Sequence, residues 1–287
     1  MMQQIDTLPA LKQVLAEQRL HGRTIGLVPT MGNLHAGHIS LVNSAKAQCD
    51  FVIATIFVNP MQFGPNEDFA RYPRTLEADK SALHEAGCHA LFTPAASDIY
   101  PAGLEQQTRV SVPVLSSLYC GKSRPGHFDG VCTIVCKLFN MTQPDVAFFG
   151  LKDFQQFFII GRMVADLQLP LRLVGMPTVR ESSGLAMSSR NGFLTSEQRA
   201  QAAGIHATLQ AAAQQLLAGS RDFAGVEKAA CAQLESAGLR PDYFHVADRR
   251  TLLAPNDQTR QFVLLTAAYA GSTRLIDNVT VDAPTAG

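Results

Sequence analysis

The sequence has no excess of charge of either sign. Its 24 basic residues are balanced by 24 acidic ones, and its isoelectric point is near 7.1. A protein that binds a nucleic acid usually carries a positive patch that neutralises phosphates. We therefore predict no nucleic-acid partner, and an enzyme that acts on tRNA is disfavoured.

Long uninterrupted hydrophobic runs are also missing. The first twenty residues mix charged and apolar side chains at the spacing of an amphipathic helix, which is not the pattern of a signal peptide. No later stretch is long and apolar enough to cross a bilayer. We predict a cytoplasmic protein with no membrane partner.

Cysteine is sparse and follows no pairing pattern. Six cysteines are scattered over 287 residues without a Cys-x-x-Cys pair, which disfavours a disulfide framework. Cys132 and Cys136 lie one helical turn apart, a spacing compatible with metal binding or with packing. We favour packing, because cysteine behaves as a small apolar side chain.

Short apolar strands alternate with amphipathic helices over the first part of the chain. Strands are predicted at 24–28, 51–58, 90–93, 145–149 and 171–174, with helices at 37–48, 74–86, 129–141 and 154–166. This order predicts an α/β fold with a Rossmann-like, doubly wound, mainly parallel sheet. Ligands of such sheets bind at the carboxyl ends of the strands.

The pattern changes after Val179. Two helices rich in Ala and Gln, at 196–218 and 222–237, precede strand-like segments at 243–246, 262–266 and 274–276. We predict two domains, a Rossmann-like domain at 1–176 and a smaller α+β domain at 177–287.

The first candidate site is the segment from Pro29 to His38, Pro-Thr-Met-Gly-Asn-Leu-His-Ala-Gly-His, which follows a strand and opens a helix. A helix N-terminus attracts phosphate through its N–H groups and its dipole. Gly32 and Gly37 allow close backbone approach, and His35 and His38 share one helix face. Both imidazoles can donate to phosphate oxygens and stabilise charge on an α-phosphate under attack.

Two other interpretations of the histidine pair stay open. Two histidines three residues apart are often ordinary surface or half-buried residues. A zinc site is the other alternative, although it needs a third ligand and none is evident nearby.

Two later segments carry groups suited to a nucleotide. From Phe149 to Gln156 a strand again leads into a helix, with Lys152 as a point charge for phosphate, Asp153 for ribose hydroxyls and Gln156 for a small polar substrate. Alone, a Lys-Asp pair is more often a helix cap. Residues 179–191 form a donor-rich loop suited to triphosphate, although such clusters are usually plain loops.

Two further segments are candidates for the substrate side. Asn59 and Gln62 follow a strand and offer neutral donors and acceptors among apolar neighbours, as an uncharged hydroxyl or amine requires. Residues 124–128, Arg-Pro-Gly-His-Phe, predict a tight turn whose Arg124 can turn toward phosphate. We interpret His127 in this turn as structural.

Six segments in this order resemble the pantothenate synthetase family of the nucleotidyltransferase superfamily. They are Pro-Thr-Met-Gly-Asn-Leu-His-x-Gly-His, Asn-Pro-x-Gln-Phe, Arg-Pro-Gly-His-Phe, Lys-Asp-x-Gln-Gln, Met-Ser-Ser-Arg-Asn and Thr-Arg-Leu-Ile-Asp-Asn. The resemblance implies condensation of pantoate with β-alanine through a pantoyl-adenylate, with ATP cleaved to AMP and pyrophosphate and Mg²⁺ bound with ATP. It also implies a homodimer and a C-terminal lid.

The resemblance assigns roles to individual residues. His38 is the expected catalytic acid, with His35 and Lys152 also catalytic. Gln62 is expected to bind pantoate and β-alanine, Gln156 pantoate, and Asn59 the substrate. ATP binding is expected at Met31, Gly32, Asn33, Leu34, His35, Ala36, Gly37, His38, Gly150, Leu151, Lys152, Asp153, Val179, Met187, Ser188, Ser189 and Arg190.

Two positions depart from the family pattern, and both lose a carboxylate. Leu151 stands where the family often has Glu, and Cys120 stands where a Glu commonly precedes the Arg-Pro-Gly-His turn. The second change weakens an expected link from a glutamate to Arg124. Two alternative functions remain, a nucleotidyltransferase that joins AMP to a phosphorylated substrate and a non-catalytic nucleotide sensor.

Overall fold

The computed structural model describes residues 2–65 and 67–283. Two compact units are present, one formed by residues 1–151 and 156–177 and the other by residues 152–155 and 178–287. Residues 152–155 therefore group with the second unit, whereas the sequence placed them in the first domain. Met1, Asn66 and residues 284–287, which the predicted domains include, lie outside the described residues.

The first unit is built on a six-stranded sheet whose pairings are all parallel. In space the strands follow the order β1-β4-β3-β2-β5-β6. Apolar side chains fill the central strands, as both faces of such a sheet are covered. Their bounds are β1 (Gln3–Ile5), β2 (Ile25–Thr30), β3 (Phe51–Ile56), β4 (Ala90–Phe92), β5 (Val146–Gly150) and β6 (Arg172–Met176).

Within the described residues, seven α-helices accompany this sheet. They are α1 (Leu8–Leu20), α2 (Ala36–Lys46), α3 (Leu76–Glu85), α4 (Ala96–Ile99), α5 (Cys120–Ser123), α6 (His127–Thr142) and α7 (Phe154–Asp166). Leu41 of α2 and Leu83 of α3 share a buried cluster with Phe148 of β5. Phe149, the next residue of β5, contacts Phe139 of α6. Successive strand residues point to opposite faces, so helices cover both faces of the sheet.

The strand order reverses beside β2. From β2 the chain moves to β3 and β4 on one side, and it later returns to β5 and β6 on the other side. In open parallel sheets this switch point opens a crevice at the carboxyl ends of the two flanking strands. The segments that follow Thr30 and Gly150 start at this crevice.

The second unit contains an antiparallel sheet of β7 (Arg240–Asp248), β8 (Gln261–Ala270) and β9 (Thr273–Asp282), in that order. Two helices, α8 (Ser196–Leu217) and α9 (Phe223–Ser236), share a buried apolar cluster with these strands. The helix α8 begins with reciprocal bonds between Thr195 and Gln198, which satisfy donors at its first turn.

The predicted fold class is confirmed, with a parallel sheet followed by a smaller α+β unit. The structure adds the edge strand β1 and the short helices α4 and α5, and it extends all three strands of the second unit. None of the helices within residues 2–65 and 67–283 combines the length and apolar character needed to cross a membrane.

Candidate active site

The turn after β2 begins the candidate site. Gly32 and Asn33 both adopt left-handed backbone conformations, with φ of 82° and 51°. A Cβ atom at Gly32 would lie only 3.1 Å from both Ile56 and the carboxylate of Asp79. Glycine is therefore required by conformation and by space, and the turn delivers His35 to the start of α2.

Backbone amides fix the tautomers of the two histidines. Nδ1 of His35 accepts a hydrogen bond from the N–H of Gly37 at 3.1 Å. Nδ1 of His38 accepts from the N–H of His35 at 3.3 Å, and the two rings lie 4.1 Å apart. A ring nitrogen that accepts carries no proton, so each neutral imidazole has its proton on Nε2. The pair therefore presents two Nε2–H donors at the carboxyl end of β2.

This arrangement disfavours the zinc alternative. Both Nδ1 atoms already serve as caps, and the described part of the chain contains no group of three or more His, Cys, Asp or Glu residues placed to hold a metal ion. Cys132 is fully buried in α6, and burial raises the pKa of its thiol to about 12. A protonated, buried thiol packs rather than binds a metal.

Asn59 lies at the centre of a buried hydrogen-bond network. Its Oδ1 accepts from the hydroxyl of Tyr100 at 2.6 Å and from the N–H of Met61 at 3.3 Å. Its Nδ2 donates at 3.1 Å to Oε1 of Gln62 and, also at 3.1 Å, to the carbonyl oxygen of Gly130. The amide of Asn59 is thus saturated by protein groups, with 1% of the residue exposed.

The network also fixes which way the amide of Gln62 points. A backbone N–H only donates and a carbonyl only accepts, so Met61 and Gly130 determine the orientation of Asn59. Nδ2 of Asn59 then requires the oxygen of Gln62, and Nε2 of Gln62 faces Sδ of Met31 at 3.2 Å. Gln62 therefore lies beside the histidine turn and presents its donor end there.

Arg124 lies in a second polar cluster that supports Gln62. It donates to the backbone oxygen of Gln62 at 3.2 Å and forms an ion pair with Glu67. His127 contacts the same oxygen through Nδ1 at 2.8 Å and Arg124 through Nε2 at 3.0 Å. His127 is thus engaged at both nitrogens, which supports its structural interpretation.

Glu67 supplies the carboxylate that Cys120 does not. Burial raises the pKa of Glu67, but the hydrogen bond and the charge of Arg124 outweigh burial, and the pKa lies below its ordinary value. Cys120 itself is buried at the start of α5. The loss of the family's glutamate at 120 therefore leaves Arg124 paired.

Around the end of β5 the first unit contributes Gly150, Leu151 and Gln156. A Cβ atom at Gly175 of β6 would lie 2.6 Å from the side chain of Leu151, so Leu151 packs over a glycine of the neighbouring strand. Position 151 thus makes an apolar contact with β6. Gln156 is half-buried in the first turn of α7.

In the second unit Lys152 and Asp153 form an ion pair with 3.5 Å between Nζ and Oδ1. The carbonyl oxygen of Lys152 accepts from Nδ2 of Asn278 in β9 at 2.8 Å. The side chain of Lys152 is 18% exposed. Asn278 thus fixes the backbone that carries this lysine.

The loop from Val179 to Arg190 is bound to the same strand. Arg180 donates to both carboxylate oxygens of Asp277, at 2.6 and 3.0 Å, and Asp277 is 4% exposed. The N–H of Met187 donates to the carbonyl of Val179 at 2.9 Å. Ser188 caps a 3-10 helix by accepting from the N–H of Arg190 at 3.2 Å. This donor-rich loop is therefore an ordered hairpin.

Four residues that support the candidate segments of the two units were not singled out from the sequence. Asp277 belongs to the Thr-Arg-Leu-Ile-Asp-Asn segment, whose recurrence in the family was the available signal. Asp79, Tyr100 and Glu67 belong to no quoted motif, and their partners lie far away along the chain. No local pattern identifies them.

The sequence is similar to one protein family over nearly its whole length. Residues 3–280 match the pantoate–β-alanine ligase family. A pantothenate synthetase of Shewanella amazonensis is 56% identical over 269 residues, which is 94% of this chain and 95% of that protein. One from Pseudomonas fluorescens is 52% identical over 278 residues, 97% of each chain.

Solved structures give the same result. The crystal structure of pantothenate synthetase from Thermus thermophilus matches with a TM-score of 0.90 and 42% identity, over 97% of this chain and 99% of that chain. A pantoate–β-alanine ligase from Francisella tularensis, complexed with beta-gamma ATP and β-alanine, matches with a TM-score of 0.82 and 34% identity over 97% of each chain. The chain therefore belongs to the pantoate–β-alanine ligase family.

Proposed function

We propose that this protein condenses pantoate with β-alanine to pantothenate through a pantoyl-adenylate, with ATP cleaved to AMP and pyrophosphate. Membership of the ligase family supports the overall reaction. The observation that best supports the adenylation step is the pair of imidazoles held as Nε2–H donors after the central strand β2. Gln62 lies beside them through its contact with Met31.

In the first step a carboxylate oxygen of pantoate attacks the α-phosphorus of ATP. A bond forms between that oxygen and phosphorus, the bond to the bridging oxygen breaks, and pyrophosphate leaves. Negative charge grows on the phosphoryl oxygens, and donors already in place stabilise it without reorganisation. We assign this role to Nε2–H of His38, with His35 donating to a neighbouring phosphate oxygen.

The pantoate side is assigned to amide groups. Gln62 presents Nε2–H donors, which suit the hydroxyl or carboxylate oxygens of pantoate. We also assign Gln62 to the binding of β-alanine. Gln156 in α7 provides a second amide for pantoate. Because the amide of Asn59 is saturated by protein groups, we assign it the task of orienting Gln62.

The remaining groups are assigned to ATP, which arrives with its own Mg²⁺. Lys152 and Arg190 supply positive charge for the triphosphate, and Asp153 accepts from ribose hydroxyls. The other residues assigned to ATP line its proposed site, and they are Met31, Gly32, Asn33, Leu34, Ala36, Gly37, Gly150, Leu151, Val179, Met187, Ser188 and Ser189.

In the second step the uncharged amine of β-alanine attacks the carbonyl carbon of the adenylate. The C–N bond forms, the C–O bond to phosphate breaks, AMP leaves and the nitrogen loses a proton. A mixed anhydride also reacts with water, so the site must exclude water until the amine has reacted. We propose that the C-terminal unit is the lid that does so, in a cytoplasmic homodimer.

An isotope experiment tests the adenylate. Pantoate with ¹⁸O in both carboxylate oxygens is incubated with ATP and β-alanine, and the products are analysed by mass spectrometry. The proposal requires one ¹⁸O atom in AMP and none in pyrophosphate. Release of ADP with labelled inorganic phosphate would show an acyl phosphate instead, and a product containing AMP joined to a phosphorylated acceptor would show the alternative transferase.

A further inference from the structure

The carboxylate of Asp79 lies buried beneath the turn that precedes α2. Its Oδ2 accepts from the N–H of Asn33 at 2.9 Å, and its Oδ1 accepts from the N–H of Leu34 at 2.8 Å. The hydroxyl of Thr75 also donates to Oδ1, at 3.2 Å. Asp79 is 3% exposed and is contributed by a different helix, α3.

The bonds to Asp79 compensate for an unfavourable backbone. Gly32 and Asn33 are consecutive left-handed residues, and this conformation is unfavourable for a non-glycine residue. Hydrogen bonds to a charged acceptor are stronger than those between neutral groups, so the two bonds can offset that cost. The carboxylate therefore selects this turn over relaxed alternatives.

These bonds are part of a set that engages the backbone donors of the turn. The amides of Asn33 and Leu34 point at Asp79, the amide of His35 points at His38, and the amide of Gly37 points at His35. These four backbone donors are engaged within the protein, and the donors that we assign to phosphate are the imidazole Nε2–H groups. Because His35 is the N-cap of α2 and His38 lies in its first turn, the orientation of both rings depends on the residue at which α2 begins.

We propose that Asp79 is a positioning residue for adenylation, since it holds Asn33 and Leu34 and thereby aims His35 and His38 at the α-phosphate. This inference rests on the proposed function of the two histidines. It makes the buried carboxylate of α3 part of the ATP-activation machinery.

The test is Asp79→Asn, which keeps size but can accept only one of the two amide bonds. Pantoate-dependent exchange of pyrophosphate into ATP should fall by about 10²-fold, the cost of misplacing a reacting group by about 1 Å. The KM for pantoate should change less than about twofold, and the amide resonances of Asn33 and Leu34 should shift upfield in NMR spectra. The matched control is Glu77→Gln on the same helix, whose side chain is 84% exposed, and it should leave all of these values unchanged.

Several results would overturn the inference. An Asp79→Asn protein that melts at a lower temperature but exchanges pyrophosphate at the wild-type rate would show a purely structural role. If Asp79→Asn does not fold, Thr75→Val removes one donor to the same carboxylate and should lower exchange about 5-fold, the effect of one hydrogen bond. An unchanged rate in that folded variant would reject the inference.

The failure of the proposed function gives a different result. If the wild-type protein showed no pantoate-dependent exchange, adenylation itself would be rejected whatever Asp79 does. If the wild-type protein exchanged pyrophosphate and His38→Ala did not, but Asp79→Asn behaved as wild type, only the positioning role would be lost.

Discussion

The hydroxyl of Tyr100 donates a 2.6 Å hydrogen bond to Oδ1 of Asn59. This contact completes a relay in which Met61 and Gly130 set the orientation of Asn59, and Asn59 sets that of Gln62, whose donor nitrogen faces Met31. Burial raises the pKa of Tyr100, so its hydroxyl keeps its proton throughout the physiological range. Tyr100 therefore remains a hydrogen-bond donor to Asn59 at physiological pH.

Replacing the hydroxyl tests this relay. Tyr100→Phe keeps the ring and removes the donor, so one acceptor position of Asn59 loses its partner and the orientation of Gln62 becomes less strictly fixed. We expect KM for pantoate to rise about 5-fold, since one hydrogen bond is worth about 1 kcal/mol. Steady-state kinetics with pantoate varied at saturating ATP will measure this change. Tyr269→Phe in β8 is the matched control, and an equal effect in both variants would contradict the relay.

The capping role of His35 can be separated from its proposed chemical role. Asparagine is a good N-cap but has no Nε2–H donor, whereas alanine removes both functions. His35→Asn should keep the melting temperature and lose about 10²-fold in pyrophosphate exchange, the cost of removing one donor to a developing charge. His35→Ala should lose the same activity and about 1 kcal/mol of stability. Normal turnover in His35→Asn would leave His35 only a structural role.

The pair of Glu67 and Arg124 predicts a dependence of stability on pH. Since the pKa of Glu67 is below its ordinary value of 4.5 in the folded state, the pair stabilises the fold above that value and loses its effect as the pH falls. Glu67→Gln should therefore be less stable than the wild type at pH 7, with the difference shrinking in acid. Urea unfolding at a series of pH values measures it.

A surface pair serves as the control for that series. Arg162 and Asp166 are 61% and 52% exposed, and exposed pairs contribute little. Asp166→Asn should leave stability almost unchanged at every pH. A constant difference between Glu67→Gln and wild type down to strong acid would contradict the assigned ion pair.

The absence of a side chain at Gly130 is required by the turn that carries Gln62. A Cβ atom there would lie 2.4 Å from the carbonyl oxygen of Met61. Gly130→Ala should cost about 1–3 kcal/mol, as overpacking does, and should raise KM for pantoate. Gly161→Ala in α7 meets only ordinary contact at 3.9 Å and should be neutral or stabilising. Thermal denaturation measures the stability of both variants, and steady-state kinetics measure their KM for pantoate. Equal values for the two variants would contradict the prediction.

Local pattern was sufficient to predict most of the first unit. The buried strands and the helix at 154–166 are set by apolar periodicity within short windows, and α7 has the predicted bounds. The edge strand β1 is only three residues long and is defined by pairing with β4, far along the chain. In β9 polar residues interrupt the apolar pattern, and pairing with β8 over ten residues makes the strand longer than predicted.

The sequence suggests candidate site residues where side-chain type carries the chemistry. His35, His38 and Lys152 are recognisable because few residue types can meet a polyphosphate, and their setting at strand ends is local. Asp79 was not recognisable, because its partners are backbone amides 45 and 46 residues away. Every residue except proline carries a backbone N–H, so residue type does not reveal which amides bind a carboxylate.

The ion pair between Arg180 and Asp277 has a consequence for the order of folding. The two residues are 97 positions apart, so the hairpin from Val179 to Arg190 cannot be anchored until β9 has paired with β8. Closing so long a loop is slow, and contacts that depend on it form late. The donor-rich hairpin should thus be among the last parts of the second unit to acquire its native form and among the first to lose it when β9 frays.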